Sequence, residues 1–284
     1  MARPLRLEYP GALYHITSRG NERKKIFLCD EDRELFLHLL SEVVEKHRWT
    51  CHAYCLMDNH YHLLIEIAQP DISEGMSWLN GVYTQKINRS RKRVGHLFQG
   101  RFKSVLVQKE SHLLEVARYI VLNPVRARIV KSPSDWKWSS FGATAGTVRP
   151  PGYLATDWIL GQFAKTRGIA KRRYAEFVME GIGSKSLWNG LKAKSVLGER
   201  EFLEEISGLM EEDDELPATP RYQRQIARPS LEELAGAGDL SEIGKRERFI
   251  RSAVDDQGYS QSEVARFLGI NQSTVSRILG GGNA

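Results

Sequence analysis

The segment Thr50 to Ile67, TCHAYCLMDNHYHLLIEI, constrains the fold more than any other part of the chain. Two apolar runs flank the turn residues Asp58 and Asn59, the pattern of a tight antiparallel hairpin. Side chains alternate along a strand, so His60 and His62 share one face while Tyr61, Leu63 and Ile65 share the other. A strand built only to fill a core has no use for two imidazoles side by side.

The flanking sequence supplies the partners of this hairpin. Tyr14 to Arg19, YHITSR, alternates as a strand and runs into the turn-like GNE. From Asp30 the run DEDRELFLHLLSEVVEKH spaces Leu35, Leu39 and Val43 as one helix face, with an acidic first turn and Lys46, His47 and Arg48 at its end. ISEGMSWLNGVYTQKINRSRKR predicts a second helix ending in a basic tail, and FKSVLVQ a fourth strand. A third helix is expected near Ser111, capped by its hydroxyl, with Glu115 just inside. The order strand, helix, strand, strand, helix, strand, helix predicts an α+β fold. It is the ferredoxin-like arrangement, an antiparallel sheet with two helices on one face.

Beyond this unit, the Ser-, Gly- and Pro-rich stretch SPSDWKWSSFGATAGTVRPPGYL reads as a boundary. A helical region is expected from Thr156 to Met210, followed by the acidic run Glu211 to Glu215 and a Pro-containing linker. In QSEVARFLGINQSTVSRIL, one helix carrying Val264, Ala265 and Leu268 breaks at Gly269, and a second carrying Val275 and Ile278 begins after Asn271. Ala265 permits close approach, Gly269 a left-handed turn, and Val275 packs back between the helices. The pattern predicts a helix-turn-helix whose second helix exposes Gln272, Ser273, Thr274 and Arg277 to duplex DNA. The expected domains are therefore 1–145, a helical extension with its acidic linker at 146–215, and an all-α DNA-binding domain at 216–284.

No stretch approaches the roughly 20 apolar residues of a membrane span. The start MARPLRLEYPG also lacks the apolar segment of a secretory signal. Both point to a cytoplasmic protein with no membrane partner. Cys29, Cys51 and Cys55 give no C-x-x-C spacing and no disulfide framework. A net charge of +6 and a pI of about 9.2 favour a polyanionic partner.

Two imidazoles on one strand face can hold a divalent ion and leave its other positions for a further side chain, water and phosphate oxygens. The alternative is a pair of satisfied structural histidines. DNHYHLLIE resembles the His-hydrophobe-His (HUH) element of single-strand nucleases and transposases. ARYIVLNPVRARIV, Ala117 to Val130, resembles the tyrosine helix of the REP-associated tyrosine transposases, relatives of the insertion-sequence single-strand transposases. YHITSRGN and LFQGRFKS complete a resemblance that covers roughly Tyr9 to Phe141.

The resemblance implies that Tyr119 is the nucleophile, with Mg²⁺ or Mn²⁺ as cofactor. A phenol has a pKa of about 10, so the site must assist its ionisation. In-line attack would give a 5′-phosphotyrosine and a free 3′-hydroxyl, with the bond energy retained for rejoining. The family pattern places a third metal ligand one turn later, at Asn123, on the same helix face as Tyr119. Pro124 follows, and Asn before Pro is equally a good helix start. Asn123 is thus a ligand, a cap, or both.

Arg91, Arg93, Arg101, Lys103 and Arg126 bracket the site in sequence and read either as phosphate contacts or as solvated faces. Arg19, Asn21 and Arg23 are candidates for reading unpaired bases or a hairpin foot. Trp78 and Tyr83 read either as base-stacking platforms or as core. The resulting expectation is a metal-dependent single-strand DNA endonuclease and strand transferase acting on hairpin or repeat ends, as a monomer or homodimer. Its rivals are a replication initiator or relaxase with the same chemistry, a non-catalytic regulator that works through the helix-turn-helix, and a hydrolase using metal-bound water.

Overall fold

The computed structural model describes residues 7–184, 196–211, 230–236, 240 and 242–280. The chain divides into two compact units, 6–191 and 192–284. Among the described residues no helix is long and apolar enough to cross a membrane.

In the first unit, β1 (Leu13–Arg19), β2 (Thr50–Met57), β3 (His60–Glu66) and β4 (Lys103–Val107) pair antiparallel in the order β2-β3-β1-β4. Helix α1 (Asp30–Lys46) joins β1 to β2, and α2 (Ile72–Ser90) joins β3 to β4. The fold is mixed α+β, with the predicted element order.

Alternation decides what each sheet face does. Tyr61 is fully buried on the α1 and α2 side, its ring 4.7 Å from that of Phe36 and its hydroxyl donating to Asn80 Oδ1 at 2.7 Å. Phe27, Phe36, Tyr83 and Phe98 complete an aromatic cluster there. Tyr83 is fully buried and its hydroxyl donates to the Ile26 carbonyl at 2.7 Å, so it belongs to the core and not to a base-stacking surface. Helices α1 and α2 approach closely, and at Gly75 a Cβ would meet the Trp49 ring at 2.3 Å.

Helix α3 (Lys109–Val121) packs over β2 and β3 on the opposite face. It begins earlier than the sequence suggests: Gln108 precedes it, Ser111 lies inside its first turn, and the Ser111 hydroxyl bonds His112 Nδ1 at 2.7 Å in place of capping the helix. After α3 come α4 (Asn123–Arg126), α5 (Phe141–Ala145), α6 (Asp157–Gly161) and α7 (Arg167–Glu180).

The stretch that reads as a boundary runs along the outer edge of β2. Leu56 N donates to the Trp138 carbonyl at 2.8 Å, Ser140 N to the Tyr54 carbonyl at 3.0 Å, and Ala155 N to the Cys51 carbonyl at 2.8 Å. An uncovered edge strand would expose a row of unpaired backbone groups, and this segment satisfies them. Ser, Gly and Pro allow it to follow the edge without being a strand. Consequently α6 and α7 belong to the same compact unit as the sheet.

The second unit holds the two-residue strand β5 (Val196–Leu197) and helices α8 (Arg200–Glu211), α9 (Leu231–Ala235), α10 (Ile243–Arg251), α11 (Gln261–Leu268) and α12 (Gln272–Gly280). The linker expected at 212–229 lies outside the described residues. Ser260 and Glu263 form a capping box at the start of α11, and Gly269 ends it in the left-handed conformation at φ 66°. Phe249, Ile250, Ala253, Val264, Ala265 and Val275 make a shared core.

Candidate active site

The register of the sheet builds the site. Thr17 pairs with His62 and Arg19 with His60, so these four side chains emerge on one face. His15 lies on that face two residues earlier on β1. Its Nε2 stands 2.9 Å from His62 Nδ1, and the two rings stack with centroids 5.1 Å apart and planes within 4°. His60 and His62 are edge to face at 4.9 Å. The ring of Tyr119, from α3, approaches both His15 and His62 edge-on at 6.0 Å. Thus the distant tyrosine and the two histidines of the hairpin do meet, together with a third histidine for which the sequence offered one signal: His15 alternates with Thr17 and Arg19 and only the β1 to β3 pairing places it beside His62.

A cavity of about 340 Å³ opens in front of the histidines, lined by Thr17, Ser18, Arg19, His60, His62, Gln99, Gly100, Arg101 and Lys103. Arg19, Arg101 and Lys103 are exposed, so three cations surround the two imidazoles. Burial drives the His15 ring down to about 3, and burial aided by Arg19 drives His60 to about 4. Burial, then His15, His60 and Arg19, hold His62 well below its ordinary range. All three rings are therefore neutral at pH 7, the form in which an imidazole nitrogen can donate a lone pair to a metal.

Two observations bear on whether a divalent cation fits. His62 Nε2 is buried and has no hydrogen-bond partner, an arrangement that costs free energy unless something else binds that nitrogen. His60 Nδ1 is engaged by Asn59 Oδ1 at 2.7 Å, which leaves its Nε2 as the available donor. Among the described residues no three His, Cys, Asp or Glu side chains converge to hold a metal. Glu66, on the same face, is taken by His52 at 2.8 Å and Lys109 at 2.7 Å. A cation here would rest on two imidazoles and draw its remaining ligands from other oxygen donors.

The other residues singled out from sequence divide clearly. Asn123 Nδ2 donates backward to the carbonyls of Tyr119 at 2.9 Å and Ile120 at 3.2 Å, closing the end of α3. It starts α4 without capping it as an N-cap residue. Its Oδ1 alone is left as a potential ligand atom. Arg91 is held by Asp32, with Nη2 2.8 and 2.7 Å from the two carboxylate oxygens, and ties α2 to α1; phosphate contact there would require breaking that pair. Arg93 and Trp78 are half-buried and line neither this cavity nor its neighbour. The Arg126 guanidinium lies 5.4 Å from the centre of the Tyr119 ring, so it is placed beside the tyrosine and not beside the histidines. Asn21 lines an adjoining groove of about 770 Å³ that shares Gln99, Gly100 and Arg101 with the cavity. Arg23 is exposed at φ 60°. In the second unit, Gln272, Ser273 and Arg277 are exposed and Thr274 half-buried.

Residues 9–123 match the family model described as Transposase IS200 like. This segment is similar to an IS200-like transposase domain. A Haemophilus influenzae protein described as a REP-associated tyrosine transposase is 28% identical over 142 residues, 46% of this chain and 80% of that relative. A solved structure of a REP-associated tyrosine transposase bound to a REP hairpin matches with a TM-score of 0.46 at 20% identity, over 55% of this chain and 92% of that one. The matched segment runs from just before β1 to the first residue of α4.

Proposed function

We propose that the chain is a single-strand DNA endonuclease and strand transferase of the REP-associated kind, acting at hairpin or repeat ends through Tyr119. The observation that carries this reading is the convergence of Tyr119 with His62 and, through it, His60, in a face flanked by Arg19, Arg101 and Lys103. His60 and His62 would hold Mg²⁺ or Mn²⁺, with Asn123 Oδ1 as a third candidate. When bound, the ion supplies charge neutralisation and orientation at a non-bridging phosphate oxygen.

The chain's own residues supply the remainder. Arg101 and Lys103 draw the sugar-phosphate backbone into the cavity and fix its register without reading sequence. The Tyr119 oxygen forms a bond to phosphorus, the bond from phosphorus to the 3′-oxygen breaks, and the phenolic proton ends on that oxygen. The products are a 5′-phosphotyrosine and a 3′-hydroxyl. One phosphodiester replaces another, so a second 3′-hydroxyl can reverse the step onto a new strand. Asn21 and Arg19 would contact unpaired bases, and the edge of α12 formed by the exposed Gln272, Ser273 and Arg277 and the half-buried Thr274 would sit in the major groove of adjacent duplex.

Incubation with Mn²⁺ and labelled single-stranded hairpin oligonucleotides tests this directly. A DNA-linked protein band is expected from the unaltered chain, none from Tyr119→Phe, and strong reduction in His60→Ala and His62→Ala. An undiminished adduct in Tyr119→Phe would sink the nucleophile, and cleavage without any adduct would favour hydrolysis by metal-bound water. Duplex binding with neither cleavage nor adduct would favour the regulator.

A further inference from the structure

The histidines of the hairpin each touch one further polar group through Nδ1, and the two contacts have the same consequence. Asn59 Nδ2 donates to the Arg23 carbonyl at 3.0 Å, which fixes the orientation of the amide and leaves Oδ1 facing His60. An amide oxygen only accepts, so His60 Nδ1, 2.7 Å away, must carry the proton and Nε2 must carry the lone pair. On the other histidine, Nδ1 meets His15 Nε2 at 2.9 Å while Nε2 is buried without a partner. A proton on that Nε2 would be a buried donor with nowhere to go; placed on Nδ1, it is satisfied by His15. Both rings then present a bare Nε2, and both line the same cavity.

We propose that Asn59 and His15 are positioning residues, each accepting a hydrogen bond from one Nδ1–H so that His60 and His62 turn their Nε2 lone pairs toward a single divalent cation. This rests on the reading of His60 and His62 as metal ligands. Ring nitrogens of metal-bound histidines ordinarily donate to such an outer partner, which sets both ring orientation and basicity.

The local backbone is built around the first of these contacts. Glu22 and Arg23 are consecutive non-glycine residues in the left-handed region, at φ 54° and 60°. At Gly20 a Cβ would stand 2.0 Å from the Lys24 carbonyl oxygen. Gly20 N also donates to the Asn59 carbonyl at 2.8 Å. The loop thus holds a strained turn that aims the Arg23 carbonyl at the Asn59 side chain, and strain of this kind persists where the surroundings over-determine it.

Long-range ¹H–¹⁵N correlation of the histidine rings in metal-free protein reads the tautomers without any reaction. His60 and His62 are expected as Nδ1–H forms. Asn59→Ala should release His60 into a tautomer mixture, and His15→Leu should do so for His62. Asn59→Asp and His15→Gln, which keep an acceptor oxygen, should preserve the Nδ1–H forms. Mn²⁺ titration should show affinity about 10- to 100-fold weaker in Asn59→Ala and His15→Leu and largely retained in the conservative pair. A wild-type His60 protonated on Nε2, or tautomers and Mn²⁺ affinity indifferent to Asn59→Ala and His15→Leu, overturns the positioning roles. Tautomers that respond as described in a protein that binds no Mn²⁺ support the positioning of the rings and overturn the metal reading instead.

Discussion

Mild acid should destabilise the sheet-bearing unit through the stacked pair His15 and His62. Both rings are buried and held neutral, with the folded value about 3 for His15 and well below the ordinary range for His62. In the unfolded chain each would titrate near 6.5. Above that pH both states are neutral and the pair has no effect. As pH falls below it, the unfolded state takes up protons that the folded state refuses, so stability falls with pH. At pH 5 the gap is about 1.5 units, or about 2 kcal/mol per ring at 1.36 kcal/mol per unit. The two together give about 4 kcal/mol, against a typical domain stability of about 5–15 kcal/mol.

Urea unfolding followed by tryptophan fluorescence isolates this unit, because all six tryptophans, at 49, 78, 136, 138, 158 and 188, precede residue 192. Other titrating groups are removed by comparison with the double variant His15→Gln, His62→Gln. Between pH 7 and pH 5 the unaltered chain should lose about 4 kcal/mol more than the variant. An excess loss under about 1 kcal/mol would refute the assignment of both rings as buried and neutral.

Three further outcomes follow from the geometry. Arg33→Ala should cost about 2–4 kcal/mol in the same assay, since the buried guanidinium bonds Asp58 and the Cys29 carbonyl and faces the Trp136 and Trp138 rings at 5.8 and 5.5 Å. Val275→Ala, in the fully buried heart of the α10 to α12 core, should lower the stability of the second unit by about 1–3 kcal/mol, measured by amide hydrogen exchange, while the tryptophan transition stays in place. Arg277→Ala should weaken binding to duplex DNA and reduce the slope of log affinity against log salt by about 1 if it contacts a phosphate; an unchanged slope with altered sequence preference would mark it as a base contact.

The domain match and the sequence reading agree on the segment from β1 to the end of α3, and the reason is local. Period-2 alternation in HYHLLIE, helical spacing in DEDRELFLHLL and the turn residues Asp58 and Asn59 each act within a few residues, so element type and order were legible. The same holds for α11 and α12, whose limits at Leu268 and Gln272 follow from Gly269 and the spacing of Val264, Ala265 and Val275. The pairing of Arg91 with Asp32 is not legible locally, because a basic run looks the same whether its side chains face phosphate or a carboxylate 59 positions earlier. The course of Ser132 to Leu154 is hidden for a related reason: its composition is that of a linker, while its backbone pairs with an edge strand some 80 residues away.

That two imidazoles share one strand face, with Tyr61 turned to the core, follows from local pattern, because alternation is a property of the strand alone. What surrounds them is set by long-range packing. Pairing register brings His15 against His62, helix packing brings Tyr119 within 6.0 Å of both, and the fold of the 20–24 loop fixes Asn59 against His60. Each of those contacts joins residues far apart in the chain or depends on a turn held by them, and no local pattern encodes such distances.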